Sequence, residues 1–130
     1  LGAHFSTAKG LYQALYDAKA YHCNTLQIFT KNSQTWQERS LSANEIEQFN
    51  NARKVTGIKE IASHTSYLIN LATPDKKKKH MSFNALRQEL IRCSLLKIPY
   101  VVLHPGSHMG KGKTEGIRLI VENIKKIFAS

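Results

Sequence analysis

Three of the six histidines, His4, His64 and His104, stand directly after short apolar runs that read as strands. A neutral imidazole is the commonest metal ligand, and it titrates near neutral pH. Three of them at equivalent strand ends point to a shared site, with metal binding as the chemistry that imidazoles most often serve. A hydrogen-bonded structural histidine is the competing reading for any one alone. The other three differ: His22 follows a helical stretch, His80 a lysine run, and His108 sits among glycines, where it is a candidate phosphate contact.

The second, third and fourth strand candidates are each followed by a polar loop of small residues. These are Phe29 to Trp36, His64 to Leu71, and His104 to His108. The only tryptophan, Trp36, and one tyrosine, Tyr67, stand there beside amides and hydroxyls. Aromatics interleaved with polar donors suit stacking on bases and contact with phosphates. A plain cap over the mouth of a barrel is the other use for them. No dinucleotide-binding glycine pattern and no Walker-type loop is present, nor a hydrolase nucleophile elbow. The stretch from Gly110 to Thr114 lacks the strand-then-loop spacing of a phosphate loop.

The elements that must position these residues alternate. Gly2 to His4 reads as a strand end, and Ser6 or Thr7 as the cap of a helix carrying Leu11, Ala14, Leu15 and Ala18 at helical spacing. Thr25 to Phe29 is the second strand. Ser42 and Glu45 form a capping box, flanked by Leu41 and Ile46 as a staple, and that helix ends at Gly57. Ile58 to Ser63 is the third strand. A helix then starts near Thr73-Pro74-Asp75 with a stripe of Phe83, Leu86, Leu90 and Cys93. Pro99 to His104 is a continuously apolar strand. Ile117, Ile120, Val121, Ile124 and Ile127 mark the last helix.

Four consecutive βα units predict an α/β fold with a parallel sheet in the order 1-2-3-4. A doubly wound sheet and the first half of a (β/α)8 TIM-type barrel both fit. A whole barrel needs about 200–250 residues, whereas this chain has 130. Residues 1–130 thus read as a single domain. Ile28, Ile61 and Val102 are expected on the face that would line the barrel interior.

Nineteen Lys and Arg oppose nine Asp and Glu, a net charge of +10. That surplus favours a polyanionic partner, nucleic acid before acidic membrane. The run Lys76 to Lys79 opposes the helix dipole it sits on, and it reads as a solvated face. Hydrophobic residues at 42% and charged residues at 22% are ordinary for a globular domain. No apolar run approaches the ~20 residues of a membrane span. Cys23 and Cys93, far apart and outside any Cys-x-x-Cys pattern, read as reduced thiols. With no leader-like opening, a cytoplasmic location is expected.

Taken together, these loops resemble the endonuclease IV family of apurinic/apyrimidinic endonucleases. The likeness runs through Gly2-Ala3-His4 with Ser6 and Gly10-Leu11, then Leu26 to Asn32 with Trp36, then His64 with Ser66 to Leu71, Arg92-Cys93, and Leu103 to His108. It implies a DNA-repair enzyme on a (β/α)8 barrel with three zinc ions, cutting the backbone of double-stranded DNA 5′ of an abasic site. It further implies that His64 and His104 bind one zinc, completed by a bridging glutamate, and that His4 lies near the site without being a ligand. Gln34, Tyr67 and Leu68 match residues that enter the DNA where the base is missing. Trp36 belongs to the same DNA-binding surface, with Asn32, Ser107 and His108 as phosphate contacts. Gln34 departs from the family, which often has arginine there. The family's other metal ligands fall after position 130, and Glu115 and Glu122 cannot replace them. No catalytic set is complete in this chain, which is expected to be inactive alone and to self-associate through open sheet edges.

Two other functions compete. A sugar isomerase-like barrel places histidines at similar strand ends. A non-catalytic DNA-binding half-barrel would keep only the loops and the charge.

Overall fold

The computed structural model describes residues 1–130. The elements are β1 (Gly2–His4), α1 (Leu11–Ala20), β2 (Thr25–Ile28), α2 (Ala43–Thr56), β3 (Glu60–His64), α3 (Lys76–Leu95), β4 (Tyr100–Val102) and α4 (Lys113–Phe128). All strand pairs are parallel and the sheet order is β1-β2-β3-β4. Four βα units in this order make the first half of a (β/α)8 barrel, with the helices on one side of the sheet.

The local signals for α2 hold. Ser42 accepts from the Glu45 amide at 3.1 Å, and the Glu45 carboxylate accepts from the Ser42 amide at 3.0 Å. Gly57 closes the helix in the left-handed region at φ 71°, where glycine carries no Cβ penalty. The start of α1 differs from expectation: Gly10 is its cap, and Ser6 and Thr7 form the turn before it. At α3 the cap is Asp75, whose carboxylate accepts from the Lys78 amide at 2.8 Å, so Pro74 lies just outside the helix.

The sheet's two faces follow from register. Ala3, Leu26 and Ile61 lie side by side, as do Ile28, Ser63 and Val101. This face meets the helices. Leu26, Ile28 and Ile61 are buried in one cluster with Leu11, Leu15, Phe49, Ile58 and Leu96. Ile28 and Ile61 therefore do not line the barrel interior as expected. The interior face carries Thr25, Gln27, Glu60, Ala62 and Tyr100, and of the three expected residues only Val102. A smaller cluster of Ile69, Leu71, Ala85, Leu86 and Ile127 lies under the later loops.

Candidate metal and nucleic-acid site

Residues of the interior face alternate toward the C-terminal rim, so His4 and His64 emerge on that face. The His64 and His104 ring centroids are 5.0 Å apart. Phe29 packs between the histidines, 4.8 Å from His4 and 5.4 Å from His64. His64 Nδ1 pairs with the Thr65 carbonyl at 2.8 Å. An imidazole held this way donates from Nδ1 and keeps Nε2 free to bind a metal. His4 is held by Gln27 (Nε2 to Nδ1, 3.2 Å). Burial, and secondarily the charge on His64, pushes the His4 pKa down, which favours the neutral ring.

Two imidazoles on one zinc, with Zn–N of ~2.0–2.1 Å and a tetrahedral angle, have centroids roughly 5 Å apart. The observed pair meets that spacing. No third His, Cys, Asp or Glu joins them in a cluster able to hold a metal. Two imidazoles are one fewer than the three protein ligands of a catalytic zinc.

The loops after β2 and β3 are stitched together. The Ser33 carbonyl accepts from Ser66 Oγ at 2.7 Å and from the Tyr67 amide at 3.1 Å. This brings Gln34 and Tyr67 onto one rim. Gln34 is exposed in a turn closed by Asn32 Oδ1, which accepts from the Gln34 amide at 2.9 Å. Tyr67 is 60% exposed, its ring 5.4 Å from Phe29 and 5.5 Å from His64. Leu68 is half-buried beside it.

The β4 loop is tied on by Asn70. Its Oδ1 accepts from the Ser107 amide and its Nδ2 donates to the Ser107 carbonyl, both at 3.0 Å. The Leu71 amide adds a bond to the Pro105 carbonyl at 2.9 Å. Gly106 has φ 125°, and a Cβ there would lie 2.0 Å from Asn70 Oδ1. Only glycine lets the two loops close so tightly.

Two expected residues sit differently from the rest. Trp36 is half-buried against the smaller cluster rather than free on the rim. His108 Nδ1 accepts from the Gly112 amide at 3.1 Å and so braces the approach to α4. Sequence reasoning passed over the buried group beneath the rim, formed by Thr30, Ser63, Glu89 and Arg92. Its signal was a Glu-x-x-Arg pair set into the apolar stripe of α3.

Beside this geometry stand the likenesses to known proteins. A sequence model described as xylose isomerase-like TIM barrel matches residues 15–130. The chain belongs to that family. Within it, the chain is 42% identical over 128 residues to "Probable endonuclease 4" of Halothermothrix orenii, covering 98% of this chain and 46% of the relative. Endonuclease IV from Thermus thermophilus superposes with a TM-score of 0.84 at 32% identity, over 99% of this chain and 47% of that one. A D-tagatose 3-epimerase-like protein reaches a TM-score of 0.67 at 16% identity and shares the fold alone. The chain spans about half the length of the relatives it matches.

No helix is long and apolar enough to cross a membrane. The expected resemblance and the half-barrel fold are both borne out.

Proposed function

We infer that this chain supplies the first half of a zinc-dependent apurinic/apyrimidinic endonuclease, acting on double-stranded DNA at abasic sites in base-excision repair. One juxtaposition carries the reading. The His64–His104 pair at 5.0 Å shares a rim with Gln34 and Tyr67, whose loops meet at the Ser33 carbonyl. Similarity to endonuclease 4 relatives supports it.

His64 and His104 would hold one zinc. A bound zinc lowers the pKa of water and clamps the oxygens of an in-line displacement at phosphorus. The chain's own residues orient and exclude. Thr65 fixes the His64 tautomer, Phe29 fills the space between rings, and Tyr67 with Leu68 and Gln34 occupies the gap left by a missing base. Asn32 and Ser107 face the backbone phosphates, and the basic surplus supplies salt-sensitive attraction to the duplex. The remaining ligands come from outside these residues, so the isolated chain is inactive. Its edge strands β1 and β4 and the exposed Ile117, Val121 and Phe128 of α4 favour self-association.

A chimera in which the second half of the Halothermothrix orenii relative follows Ser130 tests this. It should incise an abasic duplex with zinc, and His64→Ala or His104→Ala should abolish incision and weaken zinc binding. A folded chimera indifferent to both substitutions would overturn the reading. Ketose turnover by the same chimera would favour the isomerase-like alternative.

A further inference from the structure

Beneath the rim lies a buried charge group with no part in the ligand set. Glu89 and Arg92, one turn apart on α3, are each 2% exposed. The Glu89 carboxylate accepts from Thr30 Oγ1 at 2.7 and 2.9 Å, from Arg92 Nη2 at 2.7 Å, and from Ser63 Oγ. Arg92 Nε donates to Thr30 Oγ1 at 2.9 Å. Its Nη1 reaches Glu38 at 2.5 Å and the Arg39 carbonyl at 3.4 Å. Burial opposes the Arg92 charge, yet the bonds to Glu89 and Glu38 carry its pKa above the ordinary value.

A buried ion pair of this kind adds little to stability, since well-packed apolar side chains often do as well or better. What distinguishes this one is where its bonds end. Thr30 opens the β2–α2 loop, Glu38 and Arg39 lie near the end of it, and Ser63 immediately precedes His64. The loop has no helix or strand between β2 and α2. It is held instead by side chains: Arg92 at the Arg39 carbonyl, Arg39 at the Thr30 carbonyl (3.4 Å), and Lys31 at the Thr35 carbonyl (2.7 Å). Lys31 Nζ also meets Glu38 at 3.4 Å. Through Ser33, the same loop sets Tyr67.

We propose that Glu89 and Arg92 are positioning residues that fix the β2–α2 loop, and through it Gln34 and Tyr67, relative to the His64 strand end. The arginine fork is essential to this. Lysine keeps the charge but cannot serve Thr30, Glu38 and Glu89 at once. The loop's role at DNA rests on the function proposed above, whereas its mechanical dependence on the pair does not.

Trp36, the only tryptophan, lies inside the held loop and reports on it directly. The test compares the 130-residue chain with Glu89→Leu/Arg92→Met, Arg92→Lys and Glu38→Gln. Its readouts are amide exchange, acrylamide quenching of Trp36 and the thermal midpoint. The double substitution leaves no unpaired charge in the core, and Glu38 is reached from the surface, so Glu38→Gln serves if the double variant does not fold. In every folded variant, exchange should rise about tenfold or more at the Gln34 amide, bonded to Asn32 Oδ1, and at the Tyr67 amide, bonded to the Ser33 carbonyl. Trp36 quenching should increase, while α1 and β2 keep their protection, as for a local opening. Arg92→Lys should resemble the other variants rather than the parent.

Unchanged exchange at Gln34 and Tyr67 with unchanged Trp36 quenching in a folded variant would overturn the proposal. So would a uniform rise over the whole chain, because that marks a pair which only stabilises. Binding to abasic and intact duplexes separates the two claims. Loss of discrimination with a loosened loop supports both. A loosened loop in a chain whose parent never discriminated leaves the positioning role standing and removes the function.

Discussion

The two sides of the half-barrel are built to different degrees of closure. Around β1 to β3, helices α1 and α2 cover one cluster of fourteen buried apolar residues, among them Leu15, Ile28, Phe49 and Ile61, all fully buried. Around β4, the cluster has five buried members, and α4 leaves Ile117, Val121 and Phe128 exposed. A groove of about 690 Å³ runs between α3, β4 and α4, lined by Leu90, Ile98, Val101, Leu103, Ile124 and Phe128 among others. Apolar surface of this kind on a helix and an edge strand is an association hazard. The histidine pair lies between the two sides, with His64 on β3 and His104 after β4. The Thr65 carbonyl and the Ser33 stitching hold the loop around His64, while the β4 loop is tied on by Asn70.

Substitutions should separate the sides in graded steps. Phe49→Ala empties the centre of the closed side and should cost about 3–5 kcal/mol, read from denaturant unfolding. Gly106→Ala acts on the tether. It forces a side chain into a positive-φ position already filled by Asn70 Oδ1, at a cost of about 1–3 kcal/mol. Amide exchange should show the β4 loop loosened and β2 unaffected. Equal loosening of both would mean the sides are one cooperative unit.

Ser42→Ala removes a cap on the closed side and should cost about 1 kcal/mol. The partner carboxylate makes this contribution pH-dependent. The hydrogen bond from the Ser42 amide, followed by that from Arg39, holds the Glu45 pKa below its usual value. A depressed folded pKa means the stabilisation is present above the ordinary carboxylate range and is lost as pH falls through the lowered value. Glu45→Gln should therefore be less stable than the parent at pH 7 and converge with it in acid. A gap that persists in strong acid would assign the effect to packing.

Val121→Ser on the open side should shift stability by less than about 0.5 kcal/mol. It should reduce self-association in sedimentation or light scattering. A parent chain that is monomeric at high concentration would show that the open face is not sticky on its own.

The thiols offer one further contrast. Burial, with the nearby Glu89 charge, pushes Cys93 up to about 12, so it should resist alkylation at pH 8 in the native state and react on unfolding.

Much of this was legible in the residues. Alternating runs with caps gave the four βα units, and parallel crossovers left one simple strand order. The strand-end histidines and the loops from Thr30 and Thr65 marked the rim. What escaped has a physical reason. Short apolar strands conceal which residues face inward, and Thr25-Leu26-Gln27-Ile28 shows its phase only when register puts Leu26 beside Ile61. Glu89 and Arg92 interrupt a stripe otherwise read from Leu86, Leu90 and Cys93, and their partners at Thr30, Glu38 and Ser63 are far away in sequence. Neither the polar loop of Trp36 nor the glycine-flanked loop of His108 reveals which way it folds back, so the packing of Trp36 and the His108–Gly112 bond are visible only in the structure.

The central claim is that a rim shared by both sides recognises a missing base. Fluorescence anisotropy of the 130-residue chain on duplexes with and without one abasic site, across a salt series, tests it most directly. Affinity for both should fall steeply with salt, the abasic duplex should be bound several-fold more tightly at each salt, and Tyr67→Ala should remove that preference with a smaller loss of overall binding. Equal affinity for the two duplexes, or equal loss on both in Tyr67→Ala, would contradict the account.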